Sequence, residues 1–84
     1  MGNSDNGEPI VLVFDCISLG THEIQTTDGT KLKKVVKRLS KRINTPVSQI
    51  KNVQYSYNPL DQNRTISELG LKSGSVLQVK FNEQ

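Results

Sequence analysis

The spacing of apolar residues changes several times along this chain, and each change marks an element. Residues 9–16 (PIVLVFDC) are apolar and mostly β-branched over their first six positions, a run too short for a stable helix, so they read as a buried strand. Ile17 to Thr21 is a turn in which Gly20 supplies a positive φ. His22 to Thr26 alternates in polarity and suits a hairpin partner strand. Between Thr30 and Ile43 the period becomes helical. Leu32, Val35, Val36, Leu39 and Ile43 fall on one stripe, leaving one face for a sheet and one for solvent. Asp28 or Thr30 is placed to cap the start, and Asn44 followed by Pro46 ends the helix.

Period two returns afterwards. Ile50 dips inward, and Asn52 to Tyr57 alternates as a half-buried strand with Val53 and Tyr55 on one face. By the same parity Tyr55 is core, whereas Tyr57 near Pro59 is an exposed contact. Asn58 to Arg64 is turn-rich. Thr65-Ile66-Ser67-Glu68 has the form of a capping box at the start of a helical turn. Lys72 to Ser75 reverses the chain, and Val76 to Phe81 is a last strand with Leu77, Val79 and Phe81 on one side. The expected fold is therefore α+β: a mixed sheet of four to five strands packed on one α-helix. One sheet layer on one helix is about all that 84 residues can build. Residues 1–8 are expected to be a disordered tail and residues 9–82 the domain.

Composition narrows the chemistry. Cys16 is the single cysteine and His22 the single histidine, so no internal disulfide and no Cys/His metal cluster is available. Cys16 reads as a small buried hydrophobe in a reducing, cytoplasmic setting. The acids are scattered and there is no Gly-rich phosphate loop, so an enzyme, a cofactor and a small-molecule substrate are not expected. The polar start does not read as a signal peptide, so none is expected, Asn6 stands where a myristoylation motif wants Ser or Thr, and no apolar run approaches the ~20 residues of a membrane span.

Charge supplies the main functional lead. The net charge is only +3, yet between Gly29 and Leu60 there are eight Lys or Arg and no acid. Seven belong to the helical region: Lys31, Lys33, Lys34, Lys37, Arg38, Lys41 and Arg42. A solvated helix face that keeps a small domain soluble is the plain explanation. Docking on an acidic protein surface is the functional one. Nucleic acid is the rival class, although no aromatics interleave with the cations to stack bases.

The order of elements, with the capped turn before the last strand, resembles ubiquitin. Leu60 to Leu71, followed by Ser73-Gly74-Ser75-Val76-Leu77, is similar to the carboxy-terminal third of ubiquitin-like proteins, and the resemblance covers residues 9 to 81. It implies a β-grasp domain that works by binding proteins. Two departures shape the expected function. The chain ends in Phe81-Asn82-Glu83-Gln84 instead of Gly-Gly, which argues against conjugation and sulfur transfer. The positions that resemble ubiquitin's apolar patch are Gln54, Lys80 and Gln78, so the usual anchor is missing. Phe14-Asp15, Thr21-His22-Glu23-Ile24 and Leu32 to Val36 resemble the YukD/EsaB group, small unconjugated proteins that accompany type VII secretion in Gram-positive bacteria. SUMO-like domains, in which a peptide strand adds beside the second strand, are the second likeness, and they imply the alternative function of docking on SUMO-conjugation machinery. There Lys34 and Arg42 match basic groove positions, while Gln25 and Thr27 stand where lysines are expected. The expected partner-binding residues are accordingly Lys34, Lys37, Arg38, Lys41 and Arg42 on the helix, Gln25 and Thr27 on the second strand, and Gln54, Gln78 and Lys80 on the sheet.

Overall fold

The structure is a computed structural model, and it describes residues 7–82. Strand β1 (Pro9–Asp15) passes through a 3-10 turn, Ile17–Leu19, into β2 (Thr21–Thr27). Helix α1 (Leu32–Arg42) follows, then a second 3-10 turn, Val47–Gln49. Strands β3 (Ile50–Tyr55), β4 (Asn58–Pro59) and β5 (Val76–Phe81) complete a five-stranded sheet in the order β2-β1-β5-β3-β4. The central β1–β5 pair is parallel and the other pairings are antiparallel, so the sheet is mixed, as the pattern predicts.

The alternation of each strand decides which residues meet the helix. Leu12 and Phe14 of β1, Ile24 of β2, Val53 of β3, and Leu77 and Val79 of β5 form one buried cluster with Leu32, Val35, Val36 and Leu39 of α1. Cys16 lies fully buried in the same cluster, and Ile43, Leu60 and Phe81 pack at its margin. Burial, and secondarily the Asp15 carboxylate, raises the Cys16 pKa above its ordinary value, so the side chain is a protonated thiol at neutral pH.

The start of α1 differs from expectation. Lys31 holds the N-cap position with no side-chain capping bond. Asp28 Oδ1 instead accepts from the Glu8 N–H at 2.9 Å, and Thr30 Oγ1 pairs with Thr27 Oγ1 at 2.8 Å. The leading helix donors are satisfied from a distant loop: Leu32 N–H donates to the Arg64 carbonyl (3.0 Å) and Lys33 N–H to the Gln62 carbonyl (2.9 Å). A backbone carbonyl serves an orphan helix N–H as well as a side chain does, so no local cap is required. At the other end Asn44 adopts φ 57, the left-handed stop that its side chain tolerates.

The β3–β4 region also corrects the sequence reading. Strand β3 ends at Tyr55, and Ser56 (φ 54) with Tyr57 (φ 68) forms a two-residue turn to Asn58, the partner of Tyr55. Two positive φ values are the mark of a type I′ hairpin. Asn58-Pro59 is therefore a short edge strand. Tyr55 is 39% exposed, not core, because its neighbour across the ladder belongs to that edge strand. The capping box forms as predicted: Thr65 N–H donates to Glu68 Oε1 (2.9 Å) and Glu68 N–H to Thr65 Oγ1 (3.1 Å). It holds Ile66 and Leu71 in the core. The Lys72–Ser75 reversal closes through Ser75 N–H on the Lys72 carbonyl at 3.0 Å, with Gly74 at φ 91.

Of the tail expected over residues 1–8, residues 1–6 lie outside the described residues, and so do Glu83 and Gln84. Glu8 is bonded in both directions to Asp28, its carbonyl accepting from the Asp28 N–H at 3.0 Å. Among the described residues no helix is long and apolar enough to cross a membrane.

Candidate docking surfaces

The seven cations of the helical region are all exposed. At 100° per residue they divide into flanks. Arg38 and Arg42 lie on the side of β2, Lys33 and Lys37 on the opposite side, and Lys41 along the crest. Arg38 Nη1 donates to the Gln25 carbonyl at 2.8 Å. Arg42 lines a cleft with Val11, Glu23 and Gln25. Among the described residues, Lys33, Lys37, Lys41 and Arg42 have no ion-pair partner.

Strand β2 is an outer strand of the sheet. Val13 N–H donates to the Ser75 carbonyl (3.0 Å) and Val11 N–H to Ser73 Oγ (3.1 Å), so both turn their backbone groups away from β2. Their partners across the ladder, Glu23 and Gln25, therefore point their own backbone groups outward. Arg38 occupies the Gln25 acceptor, which leaves Glu23 as the more accessible part of that edge. Of the two expected contact residues on β2, Gln25 presents an exposed side chain. The Thr27 hydroxyl is turned to Thr30.

The remaining expected residues form a second surface. Gln54 faces Gln78 across the ladder and Asn52 faces Lys80, with Gln54 Nε2 donating to Asn52 Oδ1 at 3.3 Å. These side chains lie on the face of the sheet that α1 does not cover. The helix cations and the Gln54, Gln78 and Lys80 group are thus on opposite sides of the molecule, and one flat partner cannot touch both. An apolar seam adjoins the second surface: Val76, 53% exposed, pairs with Val13. Sequence pattern missed it because β1 reads as buried on both faces. The β1–β2 turn adds Ile17, which is exposed at φ 54, an uncommon backbone for a β-branched residue.

A groove of about 700 Å³ opens along the Lys33 and Lys37 flank. The stems of Lys31, Lys33, Lys34 and Lys37 line it together with Val47, Thr65 and Gly29. Its walls are mostly aliphatic because lysine stems lie along apolar surface while their heads stay in water. Val47 and Thr65 are absent from the expected set. They come from two separate loops, so no local periodicity links them to the helix.

No family model and no curated protein matches the chain. Solved structures do. The C-terminal ubiquitin-like domain of human 2'-5'-oligoadenylate synthetase-like protein is similar with a TM-score of 0.81 and 10% identity, over 98% of this chain and 93% of that one. The N-terminal ubiquitin-like domain of the 4931431F19Rik protein gives 0.80 and 16% identity, over 99% of this chain and 84% of that one. A designed protein based on ubiquitin gives 0.78 and 16% identity, over 90% of this chain and 92% of that one. At such identities the likeness speaks for architecture alone, and on that architecture this chain has the ubiquitin-like β-grasp fold.

Proposed function

We propose that this domain is a protein-interaction module that docks on an acidic partner through α1, and that it serves as a cytoplasmic accessory factor of a type VII secretion machine. It works by binding, not by catalysis. The observation that carries the reading is the spread of cations over the exposed surface of α1, with Lys33 and Lys37 on one flank, Lys41 on the crest and Arg42 on the β2 side, none of which has an ion-pair partner among the described residues. Like charges at i, i+4, such as Lys37 with Lys41, cost a few tenths of a kcal/mol per pair, and cations at a helix start oppose its dipole. An acidic partner surface offsets both costs. The secretion context rests on the resemblance of Phe14-Asp15, Thr21 to Ile24 and Leu32 to Val36 to small ubiquitin-like proteins of that pathway. Strand addition beside β2, as in SUMO-like domains, is less favoured because Arg38 already holds the Gln25 carbonyl.

The test is capture from a Gram-positive host with the tagged chain and with a variant carrying Lys34→Glu, Lys37→Glu, Lys41→Glu and Arg42→Glu. Recovery of a WXG-type substrate or a membrane ATPase by the parent chain, lost in a folded variant, supports the proposal. Unchanged capture by the variant sinks it. Binding of a single-stranded oligonucleotide that falls steeply with salt moves the reading to nucleic acid.

A further inference from the structure

We infer that the groove on the flank of α1 away from β2 seats an acidic peptide segment carrying one aliphatic side chain. This rests on the proposed docking of α1 on a protein partner, and it adds the place and the chemistry. The groove's volume of about 700 Å³ is in the range of a small-ligand site. Val47 is 45% exposed in a 3-10 turn with no buried residue, so it presents an apolar surface to the groove and not to the core. An aliphatic partner residue laid against Val47 and the lysine stems is removed from water on several sides.

The source of charge recognition is also determined. The start of α1 is not available as an anion site, because the leading N–H groups of Leu32 and Lys33 are already held by the Arg64 and Gln62 carbonyls. Carboxylates at the rim are left to Lys31, Lys33 and Lys37, which act as mobile point charges. Nucleic acid suits the place poorly. No aromatic side chain lines the groove, so unpaired bases have nothing to stack on.

The experiment is fluorescence anisotropy of the full chain with three labelled probes at low and physiological salt. They are a short Asp/Glu peptide with one central Leu, the same peptide with Ser for Leu, and an oligothymidine of equal length. The Leu peptide is expected to bind about tenfold more tightly than the Ser peptide. Val47→Ser is expected to erase that preference without weakening the Ser peptide. Lys33→Glu with Lys37→Glu is expected to abolish both. Circular dichroism melts establish that the variants fold, and Val47→Asp serves as a second, repelling variant at the same exposed position. If Lys41→Glu and Arg42→Glu abolish peptide binding while Val47→Ser and Val47→Asp change nothing, the groove is not the seat, and docking through the helix crest survives. If neither peptide binds at low salt, or oligothymidine outcompetes both, the inference is overturned. If the host capture assay also finds no dependence on the helix cations, the docking reading falls with it.

Discussion

The guanidinium of Arg38 donates to the backbone carbonyl of Gln25 at 2.8 Å, tying the middle of α1 to the outer edge of β2. An outer strand with unpaired backbone groups is a template for pairing with another chain, and charged side chains laid over it oppose that. The other outer strand, β4, is guarded differently. It has only two residues, and Pro59 has no N–H to offer.

Removing the latch is expected to free the β2 edge. Arg38→Ala should show concentration-dependent dimerisation in sedimentation velocity, while Arg38→Lys should show less. A strictly monomeric Arg38→Ala protein at high concentration would refute the guarding role.

Leu39 is fully buried at the helix–sheet contact. Its truncation to Ala should cost about 2–5 kcal/mol. A domain of this size has roughly 5 kcal/mol to lose. Urea titration should therefore find Leu39→Ala unfolded or nearly so in water. A loss below about 1 kcal/mol would contradict the packing of α1 on the sheet.

Tyr57 occupies a left-handed position in the β3–β4 turn and is 82% exposed. Left-handed backbone costs an ordinary residue about 1–2 kcal/mol, and glycine loses about 0.5–1 kcal/mol more chain entropy on folding. The net gain for Tyr57→Gly is up to about 1.5 kcal/mol, a rise of several degrees in Tm. A Tm that falls instead would mean that Tyr57 makes contacts that stabilise the turn.

Glu68 provides a pH signature. The Thr65 N–H lowers its pKa most; desolvation, next in size, opposes this, and the Thr65 hydroxyl and the charges of Arg64 and Lys31 add to the lowering, so the net shift is downward. The folded pKa lies below the unfolded one. The associated stability is therefore present above the unfolded carboxylate pKa and is lost as pH falls through the folded one. Glu68→Gln keeps an acceptor for Thr65 but cannot titrate. The Tm gap between parent and variant should be widest near neutral pH and close in strong acid. A gap independent of pH would rule out the charged capping box as its source.

What could be read from the linear chain was what neighbouring residues decide among themselves. The helical stripe from Leu32 to Ile43, the Thr65–Glu68 box, the stop at Asn44 and the reversal at Gly74 each depend on a few adjacent side chains and their allowed backbone angles. The fold class followed, because those elements in that order have few ways to bury one apolar face apiece.

The tertiary structure alone decided how distant segments meet. It closed the start of α1 with carbonyls of Gln62 and Arg64, moved Tyr55 from core to edge, and set the helix cations and the Gln54, Gln78 and Lys80 group on opposite faces. It also brought Val47 and Thr65 beside Lys33 and Lys37. Strand pairing register and the seating of a helix on a sheet are set by contacts between residues far apart in the chain, and no local window of sequence contains both partners.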